Sequence, residues 1–296
     1  MEEPKRSSYD LHLHTQWSYD AMARVETYFE WARRLEMRLI SITEHHVMDS
    51  LDEVLETASR YPDVPFDVSG EFTVNTSIGA VDLVCHGLPL EFPPGLRRML
   101  DAYHDWQRRY GAAYGLGMRR LGFPYTDEAR RELLESYRPA HIIQVQGLTH
   151  VRNGHQKAYF VERGWIESEE AYGDLGEQVR AESELPTYPQ VEDVVPVLHD
   201  AGALVAVAHP TNYFLKGDRK RMDALREEIA FDGVECGHYK VPPELVRLFR
   251  DYCKEHGLYS TAGSDCHLDE DIPQRLGVHN GREEWLDEFL ERRGLR

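Results

Sequence analysis

The stretch Asp10-Leu11-His12-Leu13-His14-Thr15 constrains this chain more than any other. Leucine alternates with histidine, so in a strand both imidazoles leave one face and both leucines the other. Imidazole is the commonest side-chain metal ligand, and two on one rigid strand supply half a coordination sphere at little entropic cost. Alone, such a pair fits a half-exposed strand equally well. It gains weight because His, Asp and Glu recur at the ends of later apolar runs.

A helix is expected from Val25 to Leu35, where Val25, Tyr28, Phe29, Ala32 and Leu35 fall at helical spacing. The β-rich run Arg38 to Thr43 leads into Glu44-His45-His46, Leu51 to Ala58 reads as a helix, and the strand Val64 to Gly70 ends at Glu71. In Val81 to His86, Asp82, Val84 and His86 share one strand face. From Pro93 to Pro186 the signals turn helical: a stripe of Leu96, Met99, Leu100, Tyr103 and Trp106, a start at Thr126-Asp127-Glu128, and a helix closing at Gly164. The α/β rhythm returns with a helix through Val194 and Leu198, the strand Ala203 to Ala208 before His209-Pro210, and the strand Phe231 to Glu235. A helix from Pro243 to Glu255, the strand Leu258 to Ala262 running into Gly263-Ser264-Asp265-Cys266-His267, and a last helix Arg282 to Arg292 complete it. This alternation predicts a mainly parallel sheet with ligands bound beyond the carboxyl ends of its strands. Residues 1–92 and 187–296 form the α/β part, and 93–186 a helical insertion expected to cap the active site.

With 296 residues, 41% of them hydrophobic and 29% charged, the chain can bury a large core. No apolar run is long enough to span a bilayer and no secretory signal opens the sequence, so no membrane partner is expected. Cys85, Cys236, Cys253 and Cys266 lack metal-binding or disulfide spacing, which suits reduced thiols in a cytoplasm. A formal net charge of -18 argues against a long nucleic acid, whose binding is driven by Lys and Arg contacts, and favours a small anionic molecule as partner.

The ends at His12/His14, His45, Glu71, Asp82/His86, His209 and Asp265/His267 all deliver nitrogen or oxygen donors and no thiolate. That is too many for one ion and suits two or three of Mn, Fe or Zn, with Glu71 as a bridge. The chain resembles the polymerase and histidinol phosphatase (PHP) superfamily, and within it the stand-alone enzymes that remove phosphate from small phosphoesters, including nucleoside 3',5'-bisphosphates. The motifs that carry the resemblance are DLHLHT at Asp10 to Thr15, TEH at Thr43 to His45, SGE at Ser69 to Glu71, AHP at Ala208 to Pro210 and GSDCH at Gly263 to His267. The resemblance implies a distorted (β/α)7 barrel with a helical insertion. It further implies one metal on His12, His14, Glu71 and Asp265, a second on Glu71, His209 and one more group, and a third on Asp20, His45 and His267. Where the family places a histidine after the motif glutamate, this chain has Asp82, with His86 further on; Asp82 is the favoured ligand. The family's arginines in RTHxAR and after HPGR are also replaced, by Asn153-Gly154-His155-Gln156-Lys157-Ala158 and by Thr211-Asn212.

Because Arg grips phosphate oxygens bidentately and Asn cannot, positive charge must come from elsewhere, with Arg152, Lys157 and Lys216 as candidates and His155 as a substrate contact. The expected function is a metal-dependent phosphoesterase in which a hydroxide activated by the ions attacks phosphorus. Glu71 and Asp265 hold the ions, and His209 or His155 protonates the leaving group. The alternatives are hydrolysis of a non-phosphate ester, lactone or amide, and a non-catalytic metal-binding regulatory domain. The other histidines read as ordinary surface or core groups, His46 and His238 being the exceptions to watch because they sit beside strand ends; the Arg119-Arg120 and Arg130-Arg131 pairs read as solvated helix faces.

Overall fold

The computed structural model describes residues 6–295. Seven strands among them form one sheet in chain order: β1 (Tyr9–Leu13), β2 (Leu39–His45), β3 (Phe66–Thr76), β4 (Gly79–His86), β5 (Leu204–Val207), β6 (Gly233–Glu235) and β7 (Tyr259–Thr261). All neighbours are parallel except β4, which runs antiparallel to both β3 and β5. The reversal follows from a hairpin whose turn reaches Gly79 at φ 108°, a conformation that favours glycine. The helices are α1 (Val25–Arg34), α2 (Leu51–Arg60), α3 (Pro94–Arg120), α4 (Asp127–Glu135), α5 (Ala140–Gln146), α6 (Asn153–Glu162), α7 (Leu175–Glu182), α8 (Val191–Asp200), α9 (Arg219–Ile229), α10 (Pro243–Glu255), α11 (Ile272–Arg275) and α12 (Glu283–Arg292). None is long and apolar enough to cross a membrane.

The sheet curls until its ends meet, giving the expected α/β barrel. Beyond β7 the chain bonds back to β1: Leu11 donates to the Ala262 carbonyl at 3.1 Å, Asp265 to that of His12 at 2.9 Å and His14 to that of Cys266 at 3.0 Å. Every residue of β1 is buried, as a strand with both faces covered requires. The Asp10 carboxylate locks this seam from inside, accepting the backbone N–H of Ser264 at 2.9 Å and of Gly277 at 2.8 Å. Gly263 is needed there, since a Cβ would lie 2.2 Å from that of His12.

Two compact units divide the chain, one running up to Leu100 and resuming at Tyr188, the other covering Asp101–Thr187. The second is helical and packs Met118, Tyr125, Leu133, Leu134, Phe160 and Val179 together. Thr126 caps α4 by accepting from the Ala129 N–H. Gly111 of α3 lies against the Thr149 carbonyl, where a Cβ would sit at 2.4 Å. Arg130, expected in solvent, is buried at 4% exposure, with its guanidinium 3.6 Å from Asp127 one turn earlier on α4.

Asp10→Ala strips two buried N–H donors of their acceptor, so urea unfolding should show a loss of about 3 kcal/mol; a change below about 1 kcal/mol would mean that the carboxylate does not hold the seam.

Candidate metal centre

Parallel strands bring their carboxyl ends to one rim, and β4, being reversed, brings its beginning there. Register fixes the partners: His45 of β2 lies beside Glu71 of β3, and Asp82 of β4 beside Thr73. Glu71 is therefore inside β3 rather than at its end, because the strand continues into the hairpin. Three overlapping donor groups assemble, His12 with His14 and Asp265, His12 with Glu71 and His209, and His14 with His45 and His267, the donor atoms of each within 4.8 Å of one another.

Hydrogen bonds decide which imidazole nitrogens point inward unprotonated. His12 donates Nδ1–H to Glu235 Oε1 at 2.9 Å, so Nε2 is the nitrogen that faces the centre, with a lone pair whenever the ring is neutral. His14 Nδ1 lies 3.2 Å from Ser18 Oγ, whose own hydrogen goes to Glu44 Oε2 at 2.6 Å; His14 donates too, and its Nε2 also keeps a lone pair. These two Nε2 atoms are 3.0 Å apart. Lone pairs at that distance repel unless a cation or a proton sits between them. Glu71 Oε2 stands 3.2 and 3.3 Å from the pair, and Asp265 Oδ1 3.7 and 3.5 Å. Burial pushes the Glu71 carboxyl up, but the imidazoles of His12 and His45 outweigh it and hold it well below the usual carboxylate range.

Around this centre, His209 Nε2 is 3.1 Å from Glu71 Oε1 and 3.9 Å from Asp82 Oδ2. Asp82 is itself fixed by hydroxyl donors, Tyr213 to Oδ2 and Thr73 to Oδ1, both at 2.5 Å. Asp20 sits between His45 Nε2 and His267 Nε2, each 3.6 Å away, while its buried Oδ1 makes no hydrogen bond. An orphaned buried carboxylate oxygen facing two imidazoles is the donor set a divalent cation satisfies. The residues present thus fit metal ions at each group. Beside the strand ends, His46, His209 and Asp265 all adopt positive φ, at 65°, 26° and 50°, a strained conformation for residues other than glycine.

His86 does not join this cluster. The reversal of β4 pairs it with Ser69, toward the other end of the barrel, where it packs edge-on against Phe289 and Tyr259 and lies 3.3 Å from Ser69 Oγ. Same-face periodicity with Asp82 was real, but four positions along the strand separate the rim from the interior. Lys216 is exposed, in a left-handed turn before α9. In the second unit, His155 stacks on Tyr137 at 4.2 Å, Lys157 lies 5.8 Å over the Tyr172 ring and Arg152 precedes α6. One buried group was missed in the sequence, Glu235, which ends β6 with an acid just as other strand ends do and also accepts the His209 backbone N–H at 2.7 Å; His238, singled out there for its place beside a strand end, lies 3.3 Å from Asp265 Oδ2.

Metal analysis after dialysis against Mn2+ should find fewer ions per chain in Asp82→Ala and Glu71→Gln than in the parent, and an unchanged number in His86→Gln. Burial pushes the His86 imidazole down to about 3, whereas in the unfolded chain histidine titrates near ~6.5. Over that interval the unfolded state binds the extra proton, so His86 costs stability as pH falls below about 6.5. His86→Gln should flatten the fall of the melting temperature between about pH 6.5 and 4; an identical profile would refute this.

The model of the PHP domain matches residues 10–182. Over 289 residues, 96% of this chain and 91% of the relative, the sequence is 22% identical to the 5'-3' exoribonuclease Rnm of Salmonella typhimurium, and it is 20% identical to a 5'-3' exoribonuclease of Haemophilus influenzae over 88% and 90%. Two solved structures share the fold at a TM-score of 0.72: a candidate metal-dependent phosphoesterase from Bifidobacterium adolescentis, 23% identical over 98% of both chains, and an amidohydrolase from Chromobacterium violaceum, 18% identical over 97% of both. The chain belongs to the PHP domain family, the metal-dependent phosphoesterases that its strand-end motifs resemble.

Proposed function

We propose that this enzyme hydrolyses phosphoesters of nucleotides and short oligoribonucleotides, using two or three divalent ions drawn from Mn, Fe and Zn. The observation that carries the reading is the convergence of the His12 and His14 Nε2 atoms, 3.0 Å apart, with Glu71 and Asp265. In this reading His12, His14, Glu71 and Asp265 hold one ion, Glu71, His209 and Asp82 a second, and Asp20, His45 and His267 a third. Bound there, the ions would lower the pKa of a water toward neutrality and neutralise charge on the phosphoryl oxygens.

The protein's part is orientation. Glu235 keeps His12 in the tautomer that presents Nε2, and Ser18 with Glu44 does the same for His14. Tyr213 and Thr73 occupy one lone pair on each Asp82 oxygen and fix the direction of the others. Support for the nucleotide substrate comes from the relatives named as exoribonucleases. The net charge of -18 favours a short substrate over a long polyanion. Four free, buried cysteines suit a reducing cytoplasm.

The test is product release by Mn-loaded protein from nucleoside 3',5'-bisphosphates, 5'-phosphorylated oligoribonucleotides of two to five residues, sugar phosphates, a long RNA and acyl esters, with Glu71→Gln as control. Nucleotides and short oligomers should be the best substrates, with turnover down roughly a hundredfold or more in the variant. Turnover of acyl esters alone, or of nothing by folded, metal-loaded protein, would overturn the proposal.

A further inference from the structure

Five carboxylates, Asp20, Glu71, Asp82, Glu235 and Asp265, crowd the centre, so an anionic substrate needs cationic protein groups at its edge as well as bound ions. Two stand there. Lys240 Nζ lies 3.6 Å from Asp265 Oδ2 with its side chain 53% exposed. Arg275 donates to the Ser264 carbonyl at 2.6 Å, which ties it to the loop carrying Asp265. Between them is Tyr239, a large side chain that keeps 44% of its surface exposed. Its ring has the Arg275 guanidinium 4.5 Å and the Lys240 ammonium 5.1 Å from its centroid, and the ring of buried His238 at 4.5 Å.

This loop is pinned. The Lys240 N–H donates to His238 Nδ1 at 3.1 Å, Val241 N–H to the His238 carbonyl at 2.9 Å, and Asn280 Nδ2 to the Val241 carbonyl at 3.0 Å. Tyr239 also lines an open groove of about 440 Å³ with Val278, Asn280 and Arg282. An exposed aromatic held rigid by a stacked guanidinium, beside a half-exposed ammonium at a cluster of metal-type donors, is a surface made for a flat group attached to a phosphate.

We propose that Lys240 anchors the substrate phosphate and that Tyr239, braced by Arg275, is the specificity-determining surface, accepting a planar nucleobase by stacking. A cation on Asp265 would satisfy the carboxylate that Lys240 now faces and free its ammonium for a phosphate oxygen. The inference deepens the nucleotide reading above and rests on it for its choice of ligand.

Calorimetric binding separates the two. The full chain is loaded with Mn2+, which accepts both imidazole and carboxylate donors, and titrated with 5'-AMP and with ribose 5-phosphate, each as its non-hydrolysable phosphonate, so that the two differ in the base. The parent should bind 5'-AMP about tenfold more tightly, Tyr239→Ala should bring the ratio near one, Tyr239→Phe should restore it, and Lys240→Ala should weaken both ligands about tenfold. Equal affinity for the two ligands in the parent, a ratio that survives Tyr239→Ala, indifference to Lys240→Ala, or no binding of either ligand would overturn the inference. Base-selective binding without turnover of any phosphoester would keep this surface and remove the hydrolase; turnover without base selectivity would do the reverse.

Discussion

The seam between β1 and the segment after β7 is the constraint on which everything else depends. It places His12 where the strands meet: its carbonyl accepts the Asp265 N–H, its Nδ1 is held by Glu235 and its Nε2 faces that of His14. One residue therefore joins barrel closure to the centre. The same short contacts explain Gly263, because any Cβ there would drive the two segments apart. Buried Asp10 serves the seam rather than the metal site, although it belongs to the same six-residue motif.

Much of this was legible in the sequence because short-range patterns report real physics. Alternation in β1 sends His12 and His14 to one side, and α10 occupies Pro243–Glu255, the span expected for it before Gly257. Direction was not legible. Period-two alternation says which face a side chain takes but not which way the strand runs, so Asp82 and His86 looked like rivals until the hairpin put one at the rim and the other in the interior. Glu235 ends a strand that was read, Phe231 to Glu235, but its contact with His12, 223 positions away in the chain, is a pairing that local spacing does not report. Helix α9 was also unread, its apolar positions Met222, Leu225 and Ile229 being diluted by charge.

The centre combines high negative charge with backbone strain, and both point the same way. Buried carboxylates this close repel, and left-handed conformations at His209 and Asp265 cost energy, so neither would persist without compensation. Part comes from the surrounding imidazoles, which hold Glu71 and Asp265 well below the ordinary carboxylate range despite burial. The rest is the affinity for cations. An acidic protein gathering cations can still take an anionic substrate, provided the substrate is small enough to feel the centre more than the surface.

The most direct test of the central claim is a crystal structure of the Mn-loaded protein with anomalous data at the manganese edge. The account predicts a peak among His12 Nε2, His14 Nε2, Glu71 and Asp265, with further density toward Asp82 with His209 or Asp20 with His267. A barrel that binds no manganese at these atoms, with the two Nε2 atoms bridged by a proton alone, would contradict it.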